Sequence, residues 1–530
     1  MAAQLKLIVI VGGVMSGVGK GVAAASLGRT FKEYGFNVTF IKIDPYMNCD
    51  AGTMKPTEHG EVWVTEDGKE IDQDLGTYER FLGTDILGTH NITSGQIYKT
   101  VIEKERRGEY LGETVQFIPH IPDEIIRRIK IATAGYEVAI IEVGGTVGDY
   151  ENKPFLFAIN ALERELGSDN VAYVLVTYLP VPGHIQEMKT KPAQQAIKML
   201  NEEGIWADFI ICRSEGVVDE VRKKKIELFA NIPSDHIISA PDISSIYEMP
   251  LILEQEQMGA KLLKKLGLVS RQEPQWAPWK QLVHTIKHPS KNIKIGIVGK
   301  YFDTGDYSLT DSYISIYQSL IHAGASLDTG ITISWINAKK LEDSNADLTF
   351  LDEFDGIIVP GGFGTSGVEG KIHAIEYVRT HGIPYIGLCY GFQLAVVEFA
   401  RNVCGMHTAH TTEVDPHTPH PIIDVLPLQK ALLEQSAYGG TMRLGAYKAI
   451  LDDASRMYAL YKQAGRLDAH NSVSERHRHR YEVNPIYVDV LQQHGLVFSG
   501  YHEREDGTRL MEFLELPDHP FFVATQAHPE

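Results

Sequence analysis

Short apolar runs alternating with helix-period stretches constrain this chain more than any other feature. "LKLIVIVGG", "FNVTFIKID", "YEVAIIEVGG", "VAYVLVTYL" and "DFIICRS" have the length and β-branching of buried strands, and segments between them such as "GVAAASLGRTFKEYG" carry a helical period. A strand that is apolar throughout needs a cover on both faces, so the order predicts a mostly parallel sheet flanked by helices. From residue 267 the texture changes to "LVSRQEPQWAPWKQLVHTIKHPSKN", with prolines, two tryptophans and no sustained period. "IKIGIVGKY" restarts the alternation at 293, followed by "GITISWI", "FDGIIVPGG" and "IPYIGLC". A chain of 530 residues exceeds one ordinary core, and the reading is two α/β domains, 1–266 and 293–530, with 267–292 as linker.

Composition narrows the function. Lys and Arg number 50 against 69 Asp and Glu, a formal charge of −19 that repels a polynucleotide backbone while leaving room for a small polyanion held by a local cluster. No segment approaches the ~20 apolar residues of a membrane span, and "MAAQLKLIVIVGG" runs into a glycine turn, so it reads as a first strand rather than a leader. Cys49, Cys212, Cys389 and Cys404 are too scattered for a disulfide frame or a metal site, which points to a reducing, cytoplasmic setting.

Two strand-to-helix junctions carry chemistry. In "VIVGGVMSGVGKGVAAASLGRTF" (9–31), Gly12, Gly13, Gly17 and Gly19 free backbone N–H groups to point at phosphate oxygens, a helix N-terminus adds partial positive charge, and Lys20 neutralises the anion. The alternative for the glycines alone is an ordinary tight turn. The standard pattern places Ser or Thr after the lysine, to hold Mg²⁺; here Gly21 stands there. The metal must then be held by carboxylates from elsewhere, and the candidates are Glu142, at the end of "VAIIEVGG", and Asp74 in "EIDQDLG".

The second junction is "YIGLCYGFQLA". Cys389 stands between an apolar run and a helix with Gly387 and Gly391 beside it, the pattern of a nucleophile elbow, where a helix N-terminus favours the thiolate. A small buried hydrophobe is the ordinary role for Cys49, Cys212 and Cys404. A thiol nucleophile needs a base and an orienting acid, and "VATQAHPE" offers His528 and Glu530 after another apolar run. "IIVPGGFGTSGVEG" (357–370) offers backbone N–H groups for an oxyanion.

With "GGVMSGVGKG", "KIDPYMNCDAGTMKPTEHGEVWVTEDGKEIDQDLGTYERF", "IEVGGTVGDYE", "KTKPAQ", "VPGGFG", "GLCYGFQ", "GGTMRLG", "ERHRHRYEVN" and "HPE" in this order, the whole chain resembles the CTP synthase family. The resemblance implies a dethiobiotin-synthetase-like P-loop amidoligase domain fused to a class I glutamine amidotransferase domain. It implies that ATP phosphorylates the uracil O4 of UTP and that ammonia from glutamine travels through an internal tunnel to displace the phosphate. Ser16, Gly17, Val18, Gly19, Lys20 and Gly21 would surround the ATP phosphates, with Lys42 near the transferring group and Asp74 and Glu142 on Mg²⁺. Asp149, Tyr150, Glu151, Lys189, Thr190, Lys191, Pro192, Ala193, Gln194 and Lys225, together with Ser16, would hold UTP, and CTP as feedback inhibitor would overlap that triphosphate site.

By the same resemblance Cys389 would form a glutamyl thioester, with His528 as base and Glu530 orienting it. Gly362 and Tyr390 would supply oxyanion N–H groups, and Gly391, Phe392, Gln393, Glu413 and Arg480 would line or grip the glutamine. "RHRHR" (476–480) reads as a local carboxylate clamp rather than a nucleic-acid patch in so acidic a chain. The family also implies GTP activation, a homotetramer and filaments.

Departures are local. The phosphate loop reads "SGVGKG" where the family has "SSLGKG", and Tyr390 and Phe392 replace Leu and Met at the elbow. The chain stops at Glu530 where relatives continue, so the expectation is either a truncated sequence or an impaired glutaminase half. A cobyric-acid-synthase type of fused amidotransferase is the nearest enzyme alternative, and "KTKPAQ" and the "DPYMNCDAGTMKPTEHGEVWVTEDG" stretch argue against it. A nucleotide-switched scaffold with decayed sites is disfavoured by Lys20, Lys42, Asp74, Glu142 and Cys389.

Overall fold

The computed structural model describes residues 4–300, 303–304, 307–308, 310–343, 345–425 and 442–529. Two compact units emerge, one of Met1–Thr53 with Ile71–Lys287, the other of Met54–Glu70 with His288–Glu530. Among the described residues, no helix is long and apolar enough to cross a membrane.

The first unit is built on seven parallel strands: β1 (Lys6–Gly12), β2 (Val38–Asp44), β3 (Asn91–Thr93), β4 (Val138–Val143), β5 (Val171–Tyr178), β6 (Phe209–Ser214) and β7 (Ile237–Pro241). Their order across the sheet is β3-β2-β4-β1-β5-β6-β7. Leu7 to Val11 on the central β1 are at most 1 % exposed, which is why that run is apolar at every position rather than at alternate ones. β1 ends at Gly12 and helix Lys20–Glu33 begins after a loop with Val14, Gly17 and Gly19 at positive φ. The strand order reverses beside β1, the kind of place where open parallel sheets bind ligands.

Within 267–292, where the sequence shows no sustained period, helix Ala277–Lys287 forms. Its anchor is an aromatic cluster: Trp279 packs on Phe81 and Tyr247, and its Nε1 donates to Tyr247 O at 2.8 Å. Burying so large an apolar surface with its one donor satisfied fixes the segment without a regular pattern.

The second unit has a nine-stranded sheet. Its strands are β8 (Lys291–Gly299), β9 (Thr329–Asn337), β10 (Gly356–Val359), β11 (Tyr385–Leu388), β12 (Arg443–Leu451), β13 (Ser472–His479), β14 (Val497–Glu503), β15 (Arg509–Glu515) and β16 (Phe522–Thr525). The order is β9-β8-β10-β11-β16-β15-β14-β12-β13, parallel from β9 to β16 and antiparallel beyond. Residues 54–70 belong to this unit, where two glycines bring backbones together: a Cβ on Gly445 would lie 2.7 Å from Gly68 N.

Candidate active sites

In the first unit the loop after β1 folds Lys20 back over the strand end. Lys20 is 8 % exposed and its Nζ donates to Gly145 O at 2.7 Å. Burial holds its pKa below the ordinary lysine value, against the pull of the Glu142 carboxylate. Gly19 precedes the helix at φ 94° with no side-chain cap, so the first N–H groups of the helix are left for an anion.

Gly21 explains the absent hydroxyl. A Cβ there would lie 2.7 Å from Asp74 Oδ1 and 3.6 Å from Glu142 Oε2, so carboxylates from two other elements occupy the space where a serine or threonine side chain would project. Asp74 opens helix Asp74–Leu82, and Glu142 is the next-to-last residue of the fully buried β4. Lys42 on β2 joins them: it contacts Asp74 directly and lies 3.5 Å from Glu142, 3.7 Å from Asp44 and 3.9 Å from Asp72. Burial works against its charge, yet Glu142, Asp72 and Asp44 together hold its pKa above the usual range. Tyr78 donates to Glu142, and Asn91 Nδ2 donates to Asp44 at 2.7 Å.

These donors suit Mg²⁺. Among the described residues no group of three or more His, Cys, Asp or Glu could hold a metal unaided. Mg²⁺ commonly takes one or two protein carboxylates and completes its shell with phosphate oxygens and water, so an oxygen pair beside a phosphate loop fits it. Asp44, Asp72 and Tyr78 were missed by the sequence reading, although Asp44 ends a buried strand much as Glu142 stands one residue from the end of β4. Arg213 was also missed: its Nη1 lies 2.7 Å from where a Cβ on Gly19 would be.

The uridine-site candidates fall on three segments. Asp149, Tyr150 and Glu151 are exposed after β4, with Asp149 Oδ2 accepting from Thr146 N at 2.7 Å. Lys189 and Thr190 lead into helix Lys191–Glu202, and Lys225 is exposed on helix Glu220–Ala230, which packs against it. Lys189 pairs with Glu187 at 2.5 Å, and Ala193 is fully buried, facing the core.

In the second unit three parallel strand ends meet: β10 delivers Pro360 to Gly362, β11 delivers Cys389, and β16 delivers Gln526 to His528. Cys389 has φ 50° and ψ −98°, a conformation that a side chain other than glycine rarely adopts, and it immediately precedes helix Tyr390–Asn402. The turn needs its glycines, since a Cβ on Gly391 would lie 2.0 Å from Val359 O. Cys389 N donates to Thr525 O at 2.8 Å, and Gln526 Nε2 lies 3.7 Å from the thiol sulfur.

Cys389 and His528 face one glycine: a Cβ on Gly361 would be 2.9 Å from His528 Cε1 and 3.6 Å from Cys389 Cβ. Burial pushes the thiol up to about 12, opposed by the Arg478 charge, and pushes the imidazole down to about 4. The resting pair is therefore neutral thiol and neutral imidazole. His528 Nε2 is buried without a hydrogen-bond partner among the described residues, and Glu530, the expected orienting acid, lies outside them.

Glu413 accepts from Gly364 N at 2.6 Å, and burial raises its pKa against the Lys300 and Arg480 charges. Gln393 Nε2 donates to Tyr481 O at 2.9 Å, while Phe392 is buried in the core of the unit. The pleat of β13 divides "RHRHR". Arg476 and Arg478 pair with Glu66 at 3.1 Å and Glu70 at 2.8 Å. His477 and His479 turn to the other face, 3.6 Å from Glu512 and from Glu482, which pair with Arg443. The five residues are thus not one clamp, and Arg480 alone follows the end of the strand.

A carboxylate-ringed glycine loop in one unit and a strained thiol beside an imidazole in the other are what a glutamine-dependent synthetase requires, and that is the class to which the family models assign the chain. Family comparison gives the same division: the "CTP synthase N-terminus" family matches residues 6–268 and the "Glutamine amidotransferase class-I" family residues 308–530. CTP synthase of Pyrococcus abyssi is 51 % identical over 525 residues, covering 99 % of this chain and 94 % of that one. CTP synthase of Methanopyrus kandleri is 49 % identical over 530 residues, covering 99 % and 95 %. A solved structure described as the Trypanosoma brucei CTPS glutaminase domain with bound acivicin aligns at TM-score 0.40 and 34 % identity, covering 45 % of this chain and 86 % of that one. The chain belongs to the CTP synthase family, glutamine-hydrolysing ligases that form a C–N bond and use ATP, UTP and glutamine.

Proposed function

We propose that this chain aminates UTP through a 4-phosphorylated intermediate with ammonia freed at Cys389. In the first unit the ATP phosphates lie on the N–H groups of residues 16–21, and Lys20 and Lys42 neutralise them. Asp74 and Glu142 would hold Mg²⁺, which when bound offsets phosphate charge. Asp149 to Glu151, Lys189 to Gln194 and Lys225 orient UTP so that its O4 faces the γ-phosphoryl group. The carboxylates around Lys42 keep it charged, as a group that stabilises a moving phosphoryl must be.

In the second unit His528 takes the thiol proton as the sulfur attacks the glutamine amide. Gly362 and Tyr390 N–H groups receive the oxyanion, and Glu413 and Arg480 hold the α-amino and α-carboxylate groups. Glu530 orients His528. Ammonia leaves, water hydrolyses the thioester, and the ammonia reaches the phosphorylated UTP through a tunnel. GTP activates glutamine hydrolysis, CTP inhibits at the triphosphate site, and the enzyme works in the cytoplasm as a homotetramer able to form filaments.

The observation that carries this reading is Cys389 held at positive φ with His528 against the same glycine. CTP formation from UTP, ATP and Mg²⁺, measured with glutamine and with NH₄⁺, tests it. Cys389→Ala is expected to abolish the glutamine-dependent rate and keep the ammonia-dependent rate within about twofold, because the phosphorylation chemistry needs no thiol. Equal loss of both would overturn the division of labour.

A further inference from the structure

Lys371 is 0 % exposed, on the first turn of helix Val368–His381, and the reaction as described gives it nothing to do. A buried amine is costly where an aliphatic side chain of the same length would fill the space freely, so its donor should serve a partner. That partner is the carbonyl of Pro360, to which Nζ donates at 3.0 Å. Pro360 is the first residue past β10, followed by Gly361 and Gly362. The other end of the same loop is also held: the Tyr390 hydroxyl donates to Gly364 O at 3.3 Å, and Lys300 Nζ lies 3.2 Å from that oxygen. The Tyr390 ring ties the two ends together, with Lys371 Nζ 5.6 Å and Lys300 Nζ 5.4 Å from its centroid.

We propose that Lys371 and the Tyr390 side chain are positioning residues that clamp the Pro360–Gly364 loop at its two ends and so aim its N–H groups at the carbonyl attacked by Cys389. The inference rests on reading Cys389 as the nucleophile. Its geometry lies in the loop's contacts: Gly361 abuts both Cys389 and His528, and Gly364 N donates to Glu413. An amine donates N–H whether or not it is protonated, so the Pro360 anchor holds across the working pH range. The tyrosine that replaces the family's leucine at the elbow thereby acquires a task, since leucine has no hydroxyl for Gly364.

The test measures glutamine hydrolysis and ammonia-dependent CTP formation in the full-length enzyme and in Lys371→Met, Tyr390→Phe, the double variant and Cys389→Ala. Removing one oxyanion donor lowers kcat about 10²–10³-fold, and loosening the loop should reach part of that: about 10–100-fold for Lys371→Met and about 3–10-fold for Tyr390→Phe. KM for glutamine should stay within about threefold, because the clamp acts on the transition state. A γ-aldehyde analogue of glutamine, whose carbon adds the thiol to give an oxyanion, should lose affinity by the factor that kcat loses, a change that a packing role would not produce. The double variant should lose less than the product of the single effects. Wild-type kcat in either single variant overturns the proposal, as does a KM rise with kcat unchanged. Tyr390→Phe deletes one oxygen and decides the question by itself if Lys371→Met does not fold. If Cys389→Ala still hydrolyses glutamine, the nucleophile reading fails and the clamp with it; if Cys389→Ala is inert while the other variants are normal, only the clamp fails.

Discussion

Replacing Gly21 by alanine or serine separates stability from function in the phosphate loop. Gly21 is the second residue of helix Lys20–Glu33, where alanine normally stabilises by ~0.5–1 kcal/mol over glycine. The added Cβ would meet Asp74 Oδ1 at 2.7 Å, against 3.4 Å for an ordinary contact, so the carboxylate must withdraw by about 0.7 Å. Asp74 is half-buried and its oxygen is the far end of a short side chain, so the shift is small in stability, and melting should be unchanged or rise by a few degrees. Function should not tolerate it. The withdrawal pulls Asp74 from Lys42 and from the point where it converges with Glu142, and a misplacement near 1 Å in a catalytic centre costs up to ~10²-fold. Ammonia-dependent CTP formation, which bypasses the thiol, should fall about 10–100-fold in both variants. Serine restores the hydroxyl of the common phosphate loop but should recover no more than about threefold over alanine, because the carboxylates already hold that space. A Gly21→Ser enzyme within twofold of the parent rate would refute the claim that Asp74 and Glu142 stand in for the hydroxyl.

Gly361→Ala places a Cβ 2.9 Å from His528 Cε1, so glutamine hydrolysis should drop about 10²-fold while ammonia-dependent synthesis is kept; steady-state assays with the two nitrogen donors check this. Burial holds the Cys389 thiol up at about 12, so alkylation by iodoacetamide in the absence of glutamine should be slow at neutral pH and rise about tenfold per pH unit beyond pH 9; a plateau between pH 6 and 8 would show a preformed thiolate. With His528 pushed down to about 4, the acid limb of kcat/KM for glutamine should lie well below 6.5; the same shift makes stability fall as pH drops from 6.5 towards 4, because the unfolded imidazole binds a proton that the folded one refuses.

The thiol site was legible because its signals are local. A strand, a residue at positive φ and a helix N-terminus are neighbours in sequence, and the glycines that permit the turn sit within two residues of Cys389. Lys371 was not legible, since a lysine on a helix ordinarily reads as solvated and only its burial distinguishes it. "RHRHR" looked like one cationic cluster, and the two-residue period of β13 sent its histidines to a buried carboxylate pair and its first two arginines to Glu66 and Glu70.

By itself the sequence determined the alternation that makes the parallel sheet of the first unit and the parallel part of the second, the two glycine-bearing junctions, and the need for carboxylates to replace a hydroxyl, because backbone conformation and burial period are written in residues a few positions apart. Only the tertiary structure decided that Asp74 and Glu142 converge on Gly21 with Lys42 between them, that residues 54–70 pack with the second unit, and that Lys371 is enclosed. These depend on contacts between residues distant in the chain, which no local period encodes.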